Sequence, residues 1–135
     1  MRRMIWTAEC RMGFEEIDSQ HRLLFAISNE LLEISNPKSQ EPEIKYLLRH
    51  LRDYVEKHFS FEEKFMEEKK FPGLSDHKEK HQKIVAEINN ALTSSASMSA
   101  LKESLETLLD GWVQSHILVE DKKYADWAKF HKIKD

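Results

Sequence analysis

Apolar residues recur every three to four positions along most of the chain, which is the period of an α-helix with one buried face. Helix breakers and polar clusters interrupt this period at 35–42, 71–76 and 93–99. The pattern therefore predicts four helices, at approximately 17–35, 41–70, 75–93 and 98–118. Because the connections are short, we expect an all-α fold, an up-down-up-down antiparallel four-helix bundle.

The two ends of the chain differ from this long periodic region. Residues 1–16 show no helical period and are predicted to form an N-terminal arm across the bundle. The C-terminal segment 120–131 carries Tyr124, Trp127 and Phe130 at helical spacing. We expect it to form a short helix that packs on the bundle, with docking of a partner protein as the alternative. The length of 135 residues suits a single domain, 1–135.

Charge and composition narrow the class of protein. Lys and Arg number 21 against 24 Asp and Glu, and they are interspersed, so no basic stripe predicts nucleic-acid binding. The single cysteine, Cys10, has no partner for an intramolecular disulfide, and residues 1–16 lack the apolar run of a signal peptide. No run of 18 apolar residues predicts membrane insertion. We therefore expect a soluble, cytoplasmic protein.

Histidines occupy the predicted buried face of all four helices, and one helix also places a glutamate there. In an antiparallel bundle these polar positions fall at the same end. An unpaired buried carboxylate costs several kcal/mol, which is comparable with the whole stability of a small domain. Bound cations would offset that cost, so the pattern predicts a metal site. The residues concerned are His21, His58, Glu62, His77, His81 and His116.

Spacing supports this interpretation and excludes two other metal motifs. His58 and Glu62 are four residues apart, as are His77 and His81, so each pair lies on one helix face. The second pair has Lys78 where a zinc protease of the HExxH type needs its glutamate. No Glu-x-x-His pair of ferritin-like proteins occurs. Five histidines with carboxylates exceed a tetrahedral zinc site and suit iron, and two ions are favoured over one.

Several segments together resemble the hemerythrin family, in particular its single-domain bacterial members, over Trp6 to Tyr124. The segments are Ile17-Asp18-Ser19-Gln20-His21, His58-Phe59-Ser60-Phe61-Glu62-Glu63 followed by Met66, Phe71-Pro72 leading to His77 and His81, and Trp112 to His116-Ile117 with Asp121. The resemblance implies two non-haem iron ions joined by an oxo or hydroxo bridge. It places His77, His81 and His116 on one iron and His21 and His58 on the other, with Glu62 and Asp121 bridging them.

The resemblance also implies the function. One coordination position would stay open, and dioxygen would bind there reversibly, as in an oxygen carrier, store or sensor rather than an enzyme. An oxygen-using enzyme or a signalling protein is then the expected protein partner. Apolar neighbours of the ligands would line the oxygen pocket besides packing the core. They are Phe59, Trp112, Val113 and Ile117.

Helix geometry and the resemblance disagree about one ligand. In a regular helix Asp121 lies about 140° around the axis from His116, whereas Glu120 lies at about 40°. The resemblance assigns the bridging role to Asp121. That assignment requires a break or a widened turn between His116 and Asp121.

Two other functions compete with oxygen binding. A di-iron redox enzyme acting on peroxide or nitric oxide could use the same centre, although oxygen-activating di-iron enzymes usually have more carboxylate ligands. A metal-free helical interaction module is disfavoured by the five converging histidines. The sequence leaves the oligomeric state open.

Overall fold

The computed structural model describes residues 3–133, which are helical apart from the connecting loops and an N-terminal arm that contains one short 3-10 helix, Ala8–Cys10. The helices are α1 (Glu15–Leu32), α2 (Glu41–Glu68), α3 (Leu74–Ser94), α4 (Met98–Gly111) and α5 (Lys122–Phe130), with a π-helical segment (Trp112–Asp121) joining the last two. The predicted all-α bundle with a short C-terminal helix is confirmed. No helix in the described range is long and apolar enough to cross a membrane.

Each of the first four helices packs against its neighbour in sequence, and α4 also packs against α1 and α2. This closes the bundle around a core that the predicted apolar faces supply. Its completely or almost completely buried members include Ile17, Leu24, Ile44, Leu51, Leu105 and Leu109. Buried apolar residues lie on both sides of the polar cluster, with Leu24 and Leu51 deeper in the bundle and Ile17 and Met66 nearer its end.

Two apolar residues that continue the three- to four-residue period of their helices, Phe61 and Val119, nevertheless point outward. Phe61 is 37% exposed and its neighbour Glu62 is fully buried, because both lie near the inner face and only one can enter it. Val119 is 51% exposed, because the helix that carries it is wider than the regular α-helix on which the prediction rested.

The fourth helix differs from its predicted range of 98–118. It continues without a break from Met98 to Phe130, and the predicted separate segment 120–131 is its last part. Between Trp112 and Asp121 the helix is π-helical, with hydrogen bonds from residue i to i+5. No proline follows Gly111, so the chain has no helix-breaking residue there and continues directly into the π-helical segment.

The N-terminal arm runs alongside α1. The Met4 backbone N–H donates to Asn29 Oδ1 at 2.7 Å, and Asn29 Nδ2 donates to the Met4 carbonyl at 2.9 Å. The Met12 N–H donates to the buried carboxylate of Asp18 at 2.7 Å. The arm ends where α1 begins, at Glu15, inside the predicted 1–16. The start of that arm and the last residues of the predicted domain 1–135 lie outside the described residues.

Candidate metal centre

The seven predicted ligands converge in the interior, and none is more than 4% exposed. They are His21, His58, Glu62, His77, His81, His116 and Asp121. Four separate helical stretches contribute to the cluster, so no single local sequence builds it. The other two histidines, His50 and His131, are exposed and lie outside it.

Helix periodicity explains how each stretch presents its side chains. His58 and Glu62 are one α-helical turn apart on α2, and His77 and His81 are one turn apart on α3. His116 and Asp121 are five residues apart, which is about one turn of a π-helix. The widened turns therefore bring Asp121 onto the inner face beside His116.

Glu120, the alternative in a regular helix, points away from the centre. Its carboxylate lies 3.6 Å from Lys80 Nζ and accepts a hydrogen bond from Lys123 Nζ at 3.0 Å. Asp121 is fully buried, and its Oδ1 lies 3.1 Å from His116 Nε2. The widened turn that the resemblance required is present, and Glu120 is not the inward carboxylate.

The ligand atoms fall into two groups that share both carboxylates. One group contains Glu62, His77, His81, His116 and Asp121, and the other contains His21, His58, Glu62 and Asp121. Within each group, one ligand atom from every residue lies within 4.8 Å of all the others. Two adjacent ion-sized positions with two shared carboxylates are the arrangement expected of a two-metal centre.

Each carboxylate turns one oxygen to each group. Glu62 Oε1 lies 3.1 Å from His77 Nε2 and 2.9 Å from His81 Nε2. Its Oε2 lies 3.4 Å from the Nε2 atoms of both His21 and His58. Asp121 divides in the same way, with Oδ1 at 2.9 Å from His77 Nε2 and Oδ2 at 3.1 Å from His21 Nε2.

These contacts fit metal ligation better than hydrogen bonding. The Nε2 atoms of His21, His58 and His116 and both oxygens of Asp121 are buried and form no properly angled hydrogen bond, although they lie close together. Two donor atoms at right angles around one ion, each about 2.1 Å from it, are about 3 Å apart. The observed separations match that value, so the residues fit a pair of metal ions.

Three further side chains orient the ligands, and the sequence analysis gave none of them this role. His58 Nδ1 donates to Gln20 Oε1 at 2.6 Å, and His81 Nδ1 donates to Glu63 Oε2 at 2.7 Å. Each bond directs the Nε2 lone pair of its histidine into the centre. Gln20 and Glu63 each adjoin a ligand in the quoted motifs, which was the available signal.

The third is Tyr124, whose hydroxyl donates to Glu62 Oε2 at 2.8 Å. Burial and the charge of Glu62 raise the pKa of Tyr124, so it remains a neutral donor. Helical spacing with Trp127 and Phe130 suggested a C-terminal packing or docking face. The structure buries Tyr124 in the centre and leaves Phe130 exposed.

Without metal, positive charge on two imidazoles balances the negative charge of the two carboxylates. Burial alone would lower the pKa values of His21 and His77, but the Asp121 and Glu62 carboxylates raise both to about 10. Burial lowers the pKa of His58 to about 4. Burial opposes ionisation of Glu62 and Asp121, yet the surrounding imidazoles keep the pKa of each below its usual range. Two imidazolium groups thus face two carboxylates.

Metal binding should therefore release protons. Histidine ligates metal as the neutral imidazole, so at pH 7.5 the ions must displace the protons of His21 and His77, at least about two per chain. Calorimetric titration of ferrous ion under anaerobic conditions, in two buffers of different ionisation enthalpy, measures this number. A His50→Gln variant, altered at an exposed histidine, should release as many protons as the unchanged chain. Release of none would contradict this charge distribution.

The four predicted pocket residues are all buried beside the ligands, and they are Phe59, Trp112, Val113 and Ile117. The ring of Phe59 stacks on His81, with centroids 3.8 Å apart and planes 3° apart. Trp112 lies against Phe59 at 5.2 Å. Tyr54, which was not among the predicted pocket residues, joins them by stacking on His58, with ring centroids 5.0 Å apart.

Comparison with known proteins places these residues in a family. The model of the Hemerythrin HHE cation binding domain matches residues 12–128. A bacteriohemerythrin of Campylobacter jejuni is 32% identical over 124 residues, which are 90% of this chain and 93% of that protein. A bacteriohemerythrin of Stenotrophomonas maltophilia is 28% identical over 128 residues, which are 95% of this chain and 83% of that protein. One of Clostridium acetobutylicum is also 28% identical over 128 residues, which are 90% of this chain and 98% of that protein. With a metal-ligand cluster inside the matched region, the chain belongs to the hemerythrin family.

Proposed function

We propose that this chain holds two non-haem iron ions, joined by an oxo or hydroxo bridge, and binds dioxygen reversibly. The observation that carries the proposal is the division of seven buried ligands into two groups that share Glu62 and Asp121. His77, His81 and His116 would hold one iron, and His21 and His58 the other. When bound, a pair of ferrous ions supplies two electrons that dioxygen takes up and returns on release.

The number of protein ligands leaves room for dioxygen. Five imidazoles and four carboxylate oxygens provide nine donor atoms for two ions. Two octahedral ions have about twelve positions, and a bridging oxygen takes two of them. One position then stays open, on the side that has only His21 and His58. The proposal therefore predicts binding of one dioxygen molecule per centre.

The side chains around the ligands support reversible binding rather than turnover. Phe59, Trp112, Val113 and Ile117 would line the oxygen pocket and exclude bulk water, which would otherwise promote irreversible oxidation of the iron. Gln20 and Glu63 hold two imidazoles in place, so the ligand set needs little rearrangement. We accordingly propose a carrier, store or sensor and not an enzyme.

A spectroscopic experiment tests the function. The iron-loaded ferrous protein should be colourless without oxygen, develop visible absorption bands in air, and lose them on degassing through several cycles. Bleaching that is not reversed, accompanied by consumption of added peroxide or nitric oxide, would instead favour the redox enzyme. A chain that binds no iron would contradict both.

The size of Val113 should control how long the oxygenated form lasts. A leucine at this buried position would fill more of the proposed pocket and hinder water and anions, so Val113→Leu should slow autoxidation by a few fold. The half-life of the visible bands in air-saturated buffer measures the effect. Val85→Leu, at a half-exposed position on α3, serves as the control. Equal half-lives in the unchanged chain and Val113→Leu would refute the role of Val113.

We propose that the protein is located in the cytoplasm. We also propose that its partner is an oxygen-using enzyme or a signalling protein. The location is supported by a buried, unpaired thiol at Cys10, which suits a reducing compartment. Co-purification after chemical cross-linking, repeated with the Asp121→Ala variant, would test whether any partner depends on an assembled centre.

A further inference from the structure

A series of aromatic rings joins the candidate metal centre to the protein surface. It begins at Tyr124, whose hydroxyl donates to Glu62 Oε2 at 2.8 Å. Between ring centroids, Tyr124 lies 6.4 Å from Phe71, and Phe71 lies 5.5 Å from Trp127. Tyr124 is buried and Trp127 is half-buried, so this aromatic series (Tyr124, Phe71 and Trp127) runs from the interior to the solvent.

The surface end of the aromatic series continues into exposed rings. Phe130 is 83% exposed, the largest fraction for any large apolar side chain among the described residues. Its ring lies 5.2 Å from that of His131, which in turn lies 4.8 Å from Trp127. Aromatic side chains are enriched among the anchors of protein–protein contacts. Trp127, Phe130 and His131, which we call the α5 face, therefore offer a docking surface.

Lysines accompany the α5 face. Residues 122–132 contain one acidic residue, Asp126, and four lysines, which are Lys122, Lys123, Lys129 and Lys132. Among the described residues only Lys123 of these four forms an ion pair, with Glu120 at 3.0 Å. The positive charge of this surface is thus largely uncompensated. It complements an acidic partner, since opposite potentials on two proteins favour their encounter and fix their orientation.

Burial of the candidate metal centre narrows the kind of partner. None of its seven ligands is more than 4% exposed, so the redox group of another protein cannot touch them. Ferric ions formed by autoxidation cannot supply the two electrons that the proposed oxygen binding uses. Electrons that restore the ferrous state must therefore cross the protein. Complexes between redox proteins bury small interfaces, which suits a surface made by part of one short helix.

We propose that the α5 face docks a small acidic one-electron carrier, and that the aromatic series is the path by which its electrons reach the candidate metal centre. This inference rests on the proposed function, because it concerns the iron pair proposed there. Each docked carrier is oxidised by one electron, and two such transfers convert two ferric ions to two ferrous ions. Tyr124 completes the path, since it bonds to Glu62, a carboxylate that both ligand groups share.

Docking can be tested on the full chain, whether or not iron is bound. The probes are oxidised plant-type ferredoxin and flavodoxin, two acidic one-electron carriers, and calorimetry should show weak binding of at least one, reduced by added salt. Phe130→Glu should weaken this binding about tenfold, as expected for loss of an anchor residue. The control is Tyr46→Glu, at an aromatic residue on α2 that is 51% exposed, and it should bind as the unchanged chain does. No binding of either carrier, or equal affinity of the two variants, would overturn the proposal.

The path can be tested on the iron-loaded, oxidised protein by stopped-flow reduction with the reduced form of the carrier that binds. Trp127→Leu should lower the limiting rate at saturating carrier several-fold. The rate with dithionite, a small inorganic reductant, should not change. An unchanged limiting rate, or an equal loss of rate with dithionite, would overturn the path. Neither experiment involves dioxygen, so docking and reduction without reversible oxygenation would refute only the proposed function.

Discussion

Replacing Asp121 with alanine should lower the iron content from two ions per chain to one or fewer, whereas Glu120→Ala should leave it at two. Asp121 contributes an oxygen to each of the two ligand groups, so its loss removes a ligand from both proposed ions. Removing a residue that only orients a ligand typically lowers metal affinity by about 10- to 100-fold. Removing a carboxylate that itself binds both ions, together with its charge, should lower the affinity by more.

The two variants form a matched pair, because they remove neighbouring carboxylates from the same π-helical segment. Glu120 forms ion pairs with Lys80 and Lys123 and none with the ligand histidines among the described residues, so its removal should leave the centre intact. Iron per chain, measured by elemental analysis after anaerobic loading and desalting, distinguishes them. If Glu120→Ala lost iron and Asp121→Ala retained it, the register of the π-helical segment would be wrong.

Glu62→Gln should destabilise the metal-free protein by about 3–5 kcal/mol, because it removes one of the two carboxylates that face the imidazolium groups of His21 and His77. A loss of this size is a large fraction of the roughly 5–15 kcal/mol by which folded domains are typically stable. Urea unfolding of the metal-free chain at pH 6, followed by circular dichroism, measures it. Glu63→Gln, at a partly exposed carboxylate on the same helix, should cost much less.

The same charges set how the stability of the metal-free protein depends on pH. Because the pKa of Glu62 is lowered, its carboxylate stabilises the fold at any pH above the usual pKa of a glutamate. This contribution is lost as the pH falls through the lowered pKa. The raised pKa values of His21 and His77 contribute stability that is complete below pH 6.5 and is lost as the pH rises toward about 10. Stability should therefore decline between pH 6.5 and 10. A rise over that interval would contradict the proposed proton positions.

Hydrophobic periodicity was sufficient to predict the bundle, because the apolar faces of four helices have only one efficient way to be buried together. Periodicity predicted the wrong buried residue where two neighbouring side chains compete for one position in the interior. Phe61 is the more apolar of its pair, yet Glu62 enters the core, because the imidazoles around it offset the cost of burying its charge. Periodicity alone cannot include that compensation, since most of it comes from histidines on two other helices, α1 and α3.

The π-helical segment explains the other differences from the sequence prediction. The spacing of His116 and Asp121 indicated that a turn must widen, but nothing in the sequence indicated that the widening begins at Trp112. That extra rotation moves Val119 outward and brings Tyr124 under Glu62. The orienting contacts of Gln20 and Glu63 depend on distances between helices, which no local pattern contains.

Dioxygen uptake by the ferrous protein tests the central claim most directly. A chain loaded anaerobically with two ferrous ions should take up one dioxygen molecule per two irons and release it when the gas phase is exchanged for argon. Uptake and release should persist through repeated cycles, and Asp121→Ala should show neither. Uptake that is not released, or a ratio other than one dioxygen per two irons, would contradict a reversible two-iron oxygen-binding centre.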